Sequence, residues 1–359
     1  MNNKAKQPRE LNIELLRIVL MILIVCHHFL MRGRGLHLLY TSGSTHINND
    51  ALQGLFMDSF LIMTVNCFVF ISGYYGIKLR VKTILSLLIQ AITYSIGIDI
   101  VFCLFTGEQM TMDSVWNGLL SVPNGQWWFI TAYFFLYLLS PFLNLAKQYL
   151  TKFQFLYILG VLTLINFIIG FTLDPSPLGV LNGYSLLSFI CVYFYGQAFS
   201  TYISFNKGKL FWLCSYVICS LLIFTMFDAG LKYSTVDMAW KAFSYNNPLI
   251  MVSAVSFFFF FKNLRISYAK ISFFSSSVLA IYLIHEHPRS ADFLTDHLNS
   301  FATTYKIGNV YFTFLLIAVM LFVAGTMVEK IRTAVTEPCL DYLVRKFNLG
   351  RLDSEMIKK

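Results

Sequence analysis

The chain has 359 residues, of which 57% are hydrophobic and 13% are charged, and its mean hydropathy is +0.64. Soluble globular proteins carry about 25% charged residues, so this composition excludes a soluble enzyme, a disordered chain and a nucleic-acid-binding module. The net charge of +9 does not indicate a basic binding patch, because the lysines and arginines are spread between apolar segments. Composition therefore predicts one integral-membrane domain over 1–359, with short tails at 1–10 and 329–359.

Ten apolar segments approach the length of about 20 residues that a helix needs to cross the hydrocarbon of a bilayer. They are 11–31, 56–76, 83–105, 127–145, 153–172, 183–203, 210–227, 246–262, 273–288 and 308–328. The ninth is the weakest, because it is short and begins close to three consecutive serines. The sequence therefore predicts an all-α, polytopic membrane protein with about ten transmembrane helices. A short helix along the inner membrane surface is expected after Glu329.

The positive residues are distributed unequally between the two sides of these predicted spans. One set of alternate loops, together with both tails, contains 20 of the 27 lysines and arginines, and the other set contains six. Because Lys and Arg are enriched in cytoplasmic loops, we expect both termini to be cytoplasmic and the protein to cross the plasma membrane several times. The outer loops would then be 32–55, 106–126, 173–182, 228–245 and 289–307, and none is long enough to fold as a domain.

The first predicted span contains the densest group of ionisable residues. An ionisable side chain in a membrane costs about 2.5–3.5 kcal/mol on insertion scales, so each is a candidate functional residue. Arg17 and His28 are eleven residues apart, which places them about 20° apart around a helix and about 16 Å apart along it. His27 points about 80° to the other side. An anionic donor could bind Arg17 and extend to His28, whose imidazole could accept a proton from a hydroxyl group.

A structural interpretation of the same residues is also open. Arg17 follows Glu14 by three residues, and the two side chains can form an ion pair at the membrane boundary. His28 can hydrogen-bond to a neighbouring helix. Spacing alone does not decide between these two interpretations.

Three further segments follow this pair in chain order. Residues 66–74 read Asn-Cys-Phe-Val-Phe-Ile-Ser-Gly-Tyr, residues 126–129 read Gln-Trp-Trp-Phe, and residues 280–288 read Ala-Ile-Tyr-Leu-Ile-His-Glu-His-Pro. Together with Arg17 and His28, this series resembles the acyltransferase-3 family of bacterial multi-spanning acyltransferases. Members of that family O-acetylate surface polysaccharides and lipid-linked sugars. The resemblance extends from the first predicted span to the ninth.

The resemblance implies roles for several residues. His28 would be the general base, while Arg17, Arg80 and Ser72 would bind the donor. The donor would be acetyl-CoA or another short acyl-CoA, which is a substrate, and no permanently bound cofactor is expected. The residues expected to line the site are Arg32, Asn66, Trp127, Trp128, Tyr282 and His285.

Alternatives remain for some of these positions. Ser72 and Gly73 could serve close helix packing, and Trp127 and Trp128 could anchor the chain at the membrane boundary. No carboxylate follows His28 within a turn, so its ring would be oriented by Asp58, by Glu286 or by a backbone carbonyl. The remaining histidines are expected to be exposed and to form no metal site; they are His37, His46, His287 and His297.

The sequence therefore predicts a membrane O-acyltransferase that transfers acetyl from acetyl-CoA to a hydroxyl group of a cell-surface polysaccharide or its lipid-linked precursor. The lipid bilayer and glycan-assembly proteins would be its other partners. The alternatives are a transporter or flippase for lipid-linked oligosaccharides and a glycan polymerase. A transporter predicts matching helices broken by Gly or Pro, whereas prolines such as Pro141 and Pro288 are expected at span ends. A polymerase would need longer outer loops.

Overall fold

The computed structural model describes residues 10–36, 38–39, 47–268, 270–304, 310–351 and 353. Within these ranges the chain forms α-helices, with short 3-10 and π-helical segments and no strand. The all-α prediction is confirmed, as expected for a chain whose backbone polar groups must be satisfied within each apolar segment. Residues 1–9 of the predicted amino-terminal tail, and also His37 and His46, lie outside the described residues.

In the described part of the amino-terminal half, seven α-helices position the site. They are α1 (Leu11–His28), α2 (Asn49–Asp58), α3 (Thr64–Tyr75), α4 (Val81–Thr106), α5 (Met112–Leu119), α6 (Trp128–Tyr149) and α7 (Lys152–Thr163). A π-helical turn, Phe29–Gly33, continues α1 without a break. A second π-helix, Leu164–Ile169, and a last turn, Gly170–Thr172, continue α7.

The residues described in the carboxy-terminal half form eight further α-helices. They are α8 (Leu186–Thr201), α9 (Lys209–Tyr233), α10 (Val236–Trp240), α11 (Pro248–Lys262), α12 (Ile271–Ser275), α13 (Val278–His285), α14 (Pro288–Thr304) and α15 (Val310–Lys346). Short 3-10 segments at Ser176–Leu178, Leu181–Gly183 and Lys241–Phe243 lie in the connections.

Seven helical segments among the described residues are long and apolar enough to cross a membrane. They are Leu11–Gly33, Val81–Thr106, Trp128–Tyr149, Lys152–Thr172, Lys209–Tyr233, Val236–Lys262 and Val310–Lys346. The protein is therefore a membrane protein. The ten-helix count and the cytoplasmic position of the termini remain predictions.

The other three predicted spans also contain helix but not one continuous helix of spanning length. Segment 56–76 is divided between α2 and α3, and 273–288 is divided between α12 and α13 at the run of serines. Segment 183–203 contains α8, which has 16 residues. The hydropathy of these segments predicted their burial but not their interruptions.

Helix α1 lies among other helices rather than at the surface. It contacts α3, α11, α12, α13 and α15, and 56% of its most apolar window is buried, compared with 22% for α4. Ionisable side chains are tolerated within a membrane where they face the protein interior. The surroundings of α1 therefore explain how it can carry a glutamate, an arginine and two histidines.

Helices α3 and α8 pack closely through a pair of glycines. A Cβ atom at Gly73 would lie 2.1 Å from the carbonyl oxygen of Tyr193, and one at Gly196 would lie 2.5 Å from that of Phe70. Small residues permit such approach between membrane helices. The packing interpretation is thus correct for Gly73.

The residues after Glu329 continue the last helix. Helix α15 continues without a break from Val310 to Lys346, so the separate surface helix predicted after Glu329 is wrong. Lys82 of α4 pairs with Glu337 at 2.9 Å and with Asp341 at 2.7 Å. These ion pairs attach the extension of α15 to α4.

Pro141 lies inside α6 rather than at its end, which corrects the expectation from the sequence. A proline within a helix leaves the carbonyl group four residues earlier without its usual donor. Here that carbonyl belongs to Tyr137, and the hydroxyl of Ser140 donates a hydrogen bond to it at 2.7 Å. A neighbouring side chain therefore replaces the donor that the proline lacks.

Candidate active site

A cavity of about 300 Å³ lies along α1. Arg17 and His28 both line it, together with Ser72, Trp128 and Tyr282. Since α1 is regular from Leu11 to His28, the two ionisable side chains lie about 16 Å apart along its axis. One cavity therefore extends from a guanidinium group to an imidazole, as the spacing predicted.

The ring of His28 is held by the carboxy-terminal end of α13. Its Nδ1 lies 2.9 Å from Nε2 of His285 and 3.1 Å from Oε1 of Glu286. His285 in turn donates from Nδ1 to the carbonyl oxygen of Ile281 at 2.6 Å. A neutral imidazole carries one N–H, so Nε2 of His285 accepts and Nδ1 of His28 donates. This leaves Nε2 of His28 unprotonated, which is the form that a general base requires.

Arg32 contacts Glu286 and does not form part of the cavity wall. Its two terminal nitrogens donate to Oε1 and Oε2 of Glu286 at 2.6 and 3.0 Å. This bidentate pair fixes and neutralises the carboxylate. The π-helical turn Phe29–Gly33 carries Arg32, and such turns often occur at functional sites. The prediction that Arg32 lines the cavity is wrong. The side chain of Arg32 instead contacts Glu286, which orients His28.

His27 also lines the cavity, although its position on the helix indicated another direction. Its Nδ1 lies 2.5 Å from Oδ1 of Asp58, the last residue of α2, and Asp58 is only 1% exposed. The rings of His27 and His28 are 5.2 Å apart between centroids. This pair was not predicted from the sequence, in which the available signal was a lone aspartate within an apolar segment.

The opposite end of the cavity carries the arginine and two hydroxyl groups. Arg17 donates to Oε1 of Glu14 at 3.1 Å, and Ser275 donates to the other oxygen of that buried carboxylate. The hydroxyl oxygens of Ser72 and Tyr133 are 3.0 Å apart, and both residues line the cavity. The ion pair of the structural interpretation is therefore present, but Arg17 also faces the cavity.

Aromatic side chains form the wall near the histidines. Trp128 lines the cavity and packs against Tyr184 and Tyr245, with ring centroids 4.5 and 5.6 Å away. Asn66 does not line the cavity as expected. It is buried and donates to the backbone carbonyl of Tyr245 at 2.7 Å, so it fixes a residue of the wall.

Four other expectations have different outcomes. Trp127 is 2% exposed and outside the cavity wall, so it neither lines the cavity nor anchors the chain at the membrane surface. Its ring lies 6.2 Å from His287, which is buried rather than exposed. His297 is exposed, as expected. Arg80 precedes α4 with an exposed side chain and does not line the cavity.

One group of residues in the described chain could hold a metal ion. The ligand atoms of His28, His285 and Glu286 lie within 4.8 Å of one another. Three protein ligands and an open position are typical of catalytic zinc sites. However, Arg32 binds both oxygens of Glu286, and the two rings use one nitrogen each in their mutual hydrogen bond. The contacts that are present therefore favour a hydrogen-bonded group over a metal centre.

An all-helical membrane chain with a base and a cation in one internal cavity is suited to a transfer reaction on an anionic donor within the membrane. The family model described as an acyltransferase domain matches residues 10–329, nearly the whole chain and every site residue named above. The chain therefore belongs to the acyltransferase-3 family and is a membrane acyltransferase. No curated protein and no solved structure matches it.

Proposed function

We propose that this protein transfers an acyl group, most simply acetyl, from cytoplasmic acyl-CoA to a hydroxyl group of a cell-surface polysaccharide or its lipid-linked precursor at the plasma membrane. The observation that carries the proposal is that Arg17 and His28 line one cavity, about 16 Å apart along α1. Acyl-CoA has the matching form, with anionic phosphates at one end and a reactive thioester at the end of a long arm.

Donor binding is assigned to the Arg17 end of the cavity. Glu14 fixes the guanidinium group from one side, yet 38% of the Arg17 side chain remains exposed and can bind a phosphate. Ser72 and Tyr133 add hydroxyl groups that can donate hydrogen bonds in the same region. The exposed Arg80 lies at the start of α4, near Tyr137 of α6, where it can contact phosphates that extend beyond the cavity.

The reaction is assigned to the histidine end. Nε2 of His28 takes the proton of the acceptor hydroxyl group while the hydroxyl oxygen bonds to the acyl carbon. The carbon–sulfur bond of acyl-CoA then breaks and coenzyme A leaves, so no acyl-enzyme is required. His285 and Glu286 hold the ring in the required tautomer and orientation. A positioned base of this kind contributes about 10²- to 10⁴-fold to the rate.

A polar cavity supports a sugar-like acceptor. It measures about 390 Å³ and its lining includes Asp99, Asn117, Gln126, His287 and Arg289. His287 is two residues from His285, whose ring contacts His28, and Gln126 is two residues from Trp128 of the first cavity. The same two chain segments therefore contribute to both sites. Amide and charged side chains of this kind can bind several hydroxyl groups at once.

Arg289 is charged throughout the physiological pH range in this polar cavity. It donates to Glu108 at 2.7 Å, and that hydrogen bond raises the pKa of Arg289. Its Nε also lies 3.1 Å from Oδ1 of Asp99. Both carboxylates therefore have a permanent cation beside them.

The test is the acyl-transfer activity of His28→Ala in isolated membranes, followed as release of free coenzyme A thiol with candidate glycan acceptors. We expect His28→Ala to abolish transfer while the protein level and the membrane topology stay unchanged. His297→Ala, which changes an exposed histidine, is the matched control and should retain full activity. Normal activity of His28→Ala would refute the assignment.

A further inference from the structure

We propose that His27 and Asp58 form a second acid–base site in the same cavity, where protonated His27 donates a proton to the departing sulfur of coenzyme A. This inference rests on the proposed acyl-CoA donor. It assigns His27 and Asp58 to the carbon–sulfur bond that breaks, whereas His28 acts on the bond that forms between the acceptor oxygen and the acyl carbon.

The geometry leaves one nitrogen of His27 for this task. Nδ1 is committed to Oδ1 of Asp58 at 2.5 Å, so Nε2 is the nitrogen that can meet a ligand. His27 lines the cavity beside His28, with ring centroids 5.2 Å apart. Both imidazoles can therefore approach one acyl carbon, one from the side of the attacking oxygen and the other from the side of the sulfur.

The charge around the pair favours the protonated ring. The side chain of Asp58 is 1% exposed, and among the described residues His27 is its only ion-pair partner. Its Oδ2 has no hydrogen-bond partner there. A buried carboxylate without a counter-charge is strongly destabilising, so the imidazolium form of His27 supplies the missing charge.

The leaving group needs such a donor. When the carbon–sulfur bond breaks without a proton, sulfur carries a full negative charge in a cavity whose lining is mostly apolar. Burying an unpaired charge in such surroundings is costly. Protonation of the sulfur during bond breaking avoids that charge, and the imidazolium of His27 is suited to this because imidazoles exchange protons near neutral pH.

The complete step balances. The hydroxyl proton of the acceptor moves to Nε2 of His28, the acceptor oxygen bonds to the acyl carbon, and the carbon–sulfur bond breaks. The sulfur takes a proton from Nε2 of His27, so free coenzyme A and an acyl ester are formed. A proton then passes from His28 to His27, and both rings return to their starting forms. No other reactant is required.

A purely structural role is the alternative, because the pair also joins α2 to α1. The two roles differ in the pH profile of kcat. An acid catalyst is needed in its protonated form, so the wild-type kcat should fall at high pH as His27 loses its proton. Within the described part of the chain, the other ionisable groups close to this pair are His28, His285, Glu286, Arg32, Tyr184 and Tyr245, and all are unchanged in the variants below.

The experiment compares kcat, KM for acetyl-CoA and the pH profile of wild type, His27→Gln and Asp58→Asn in detergent-solubilised protein. We expect His27→Gln to lower kcat about 100-fold, to change KM less than about threefold and to remove the alkaline fall in kcat. Asp58→Asn retains an acceptor for Nδ1 but removes the charge, so it should show the same loss if His27→Gln does not fold.

Each outcome bears on the inference. Either variant with kcat within about threefold of the wild-type value overturns it, and so does a loss of kcat with an unchanged pH profile. The failure of the proposed function looks different, because wild type itself would then release no thiol from acetyl-CoA.

Discussion

His27 and His28 are neighbours on one helix and line one cavity, but their carboxylate partners differ in charge balance. Glu286, beside His28, is held by both nitrogens of Arg32, so its charge is already neutralised. Asp58, beside His27, has no other ion-pair partner among the residues described. We therefore infer that the first environment stabilises a neutral imidazole that can accept a proton, and the second a charged imidazole that can donate one.

The largest effect should come from His28 itself. We expect His28→Gln to lower the transfer rate about 10³-fold or more, since a general base contributes about 10²- to 10⁴-fold and the hydrogen bond to His285 and the contact with Glu286 are also changed. His27→Gln should leave more residual activity. A thiol group leaves readily even without an acid catalyst, whereas a hydroxyl group is a weak nucleophile without a base. Initial rates of acetyl transfer measure both. A larger loss in His27→Gln would reverse the assigned roles.

Removing Arg32 should make the surroundings of His28 resemble those of His27. In Arg32→Gln the charge of Glu286 is no longer neutralised, so the protonated form of His28 gains a partner and the base is lost. We expect kcat to fall about 10- to 100-fold at neutral pH.

The double variant Arg32→Gln/Glu286→Gln tests this explanation, because it removes both charges. We expect it to be more active than Arg32→Gln alone, which is the non-additivity that coupled residues show in a double-mutant cycle. Independent, additive losses would show that Arg32 does not act through Glu286.

The Arg17 end of the cavity should respond in KM rather than in kcat. Arg17→Ala removes the predicted phosphate contact, and we expect KM for acetyl-CoA to rise about tenfold, equivalent to about 1.4 kcal/mol. Arg17→Lys retains a charge without the planar guanidinium and should be intermediate. A fall in kcat with unchanged KM would place Arg17 in the chemical step instead.

A packing variant separates stability from chemistry. Gly73→Ala would place a Cβ atom 2.1 Å from a carbonyl oxygen of α8, and overpacking of this kind costs about 1–3 kcal/mol. We expect a lower melting temperature, with kcat per folded molecule unchanged. Gly97→Ala is the matched control, since a Cβ there meets nothing within 4 Å. Equal melting temperatures for both variants would contradict the close packing of α3 and α8.

The smallest expected effect is that of a metal chelator. Because Arg32 occupies the carboxylate of Glu286, we expect EDTA to leave acetyl transfer unchanged. A loss of activity that added zinc restores would show that His28, His285 and Glu286 hold a metal ion.

The sequence predicted the all-helical membrane fold and one face of α1 from simple periodicity. Arg17 and His28 share a face because a helix turns 100° per residue, and the cavity lies along that face. Apolar runs predicted helix in all ten segments, but not the interruptions at 59–63 and at the serines of 276–277, because hydropathy does not register local backbone geometry.

The parts of the site that the sequence could not predict depend on contacts between distant residues. His28 and His285 are 257 positions apart. From the sequence, Glu286 was only one of several candidates for the group that orients His28. The π-helical turn after His28 changes the direction of Arg32, which regular helical geometry does not anticipate. His27 was assigned to another face for a different reason: the wall of the cavity is built by several helices and extends around α1.

The most direct test of the central claim follows labelled acetyl from acetyl-CoA in membrane vesicles that contain wild type, His28→Gln or His297→Gln. We predict that wild type and His297→Gln transfer the label to acceptor hydroxyl groups and release one free thiol for each ester formed. His28→Gln should do neither. Label that stays on coenzyme A with wild type, or that reaches the acceptor equally well with His28→Gln, would contradict the account.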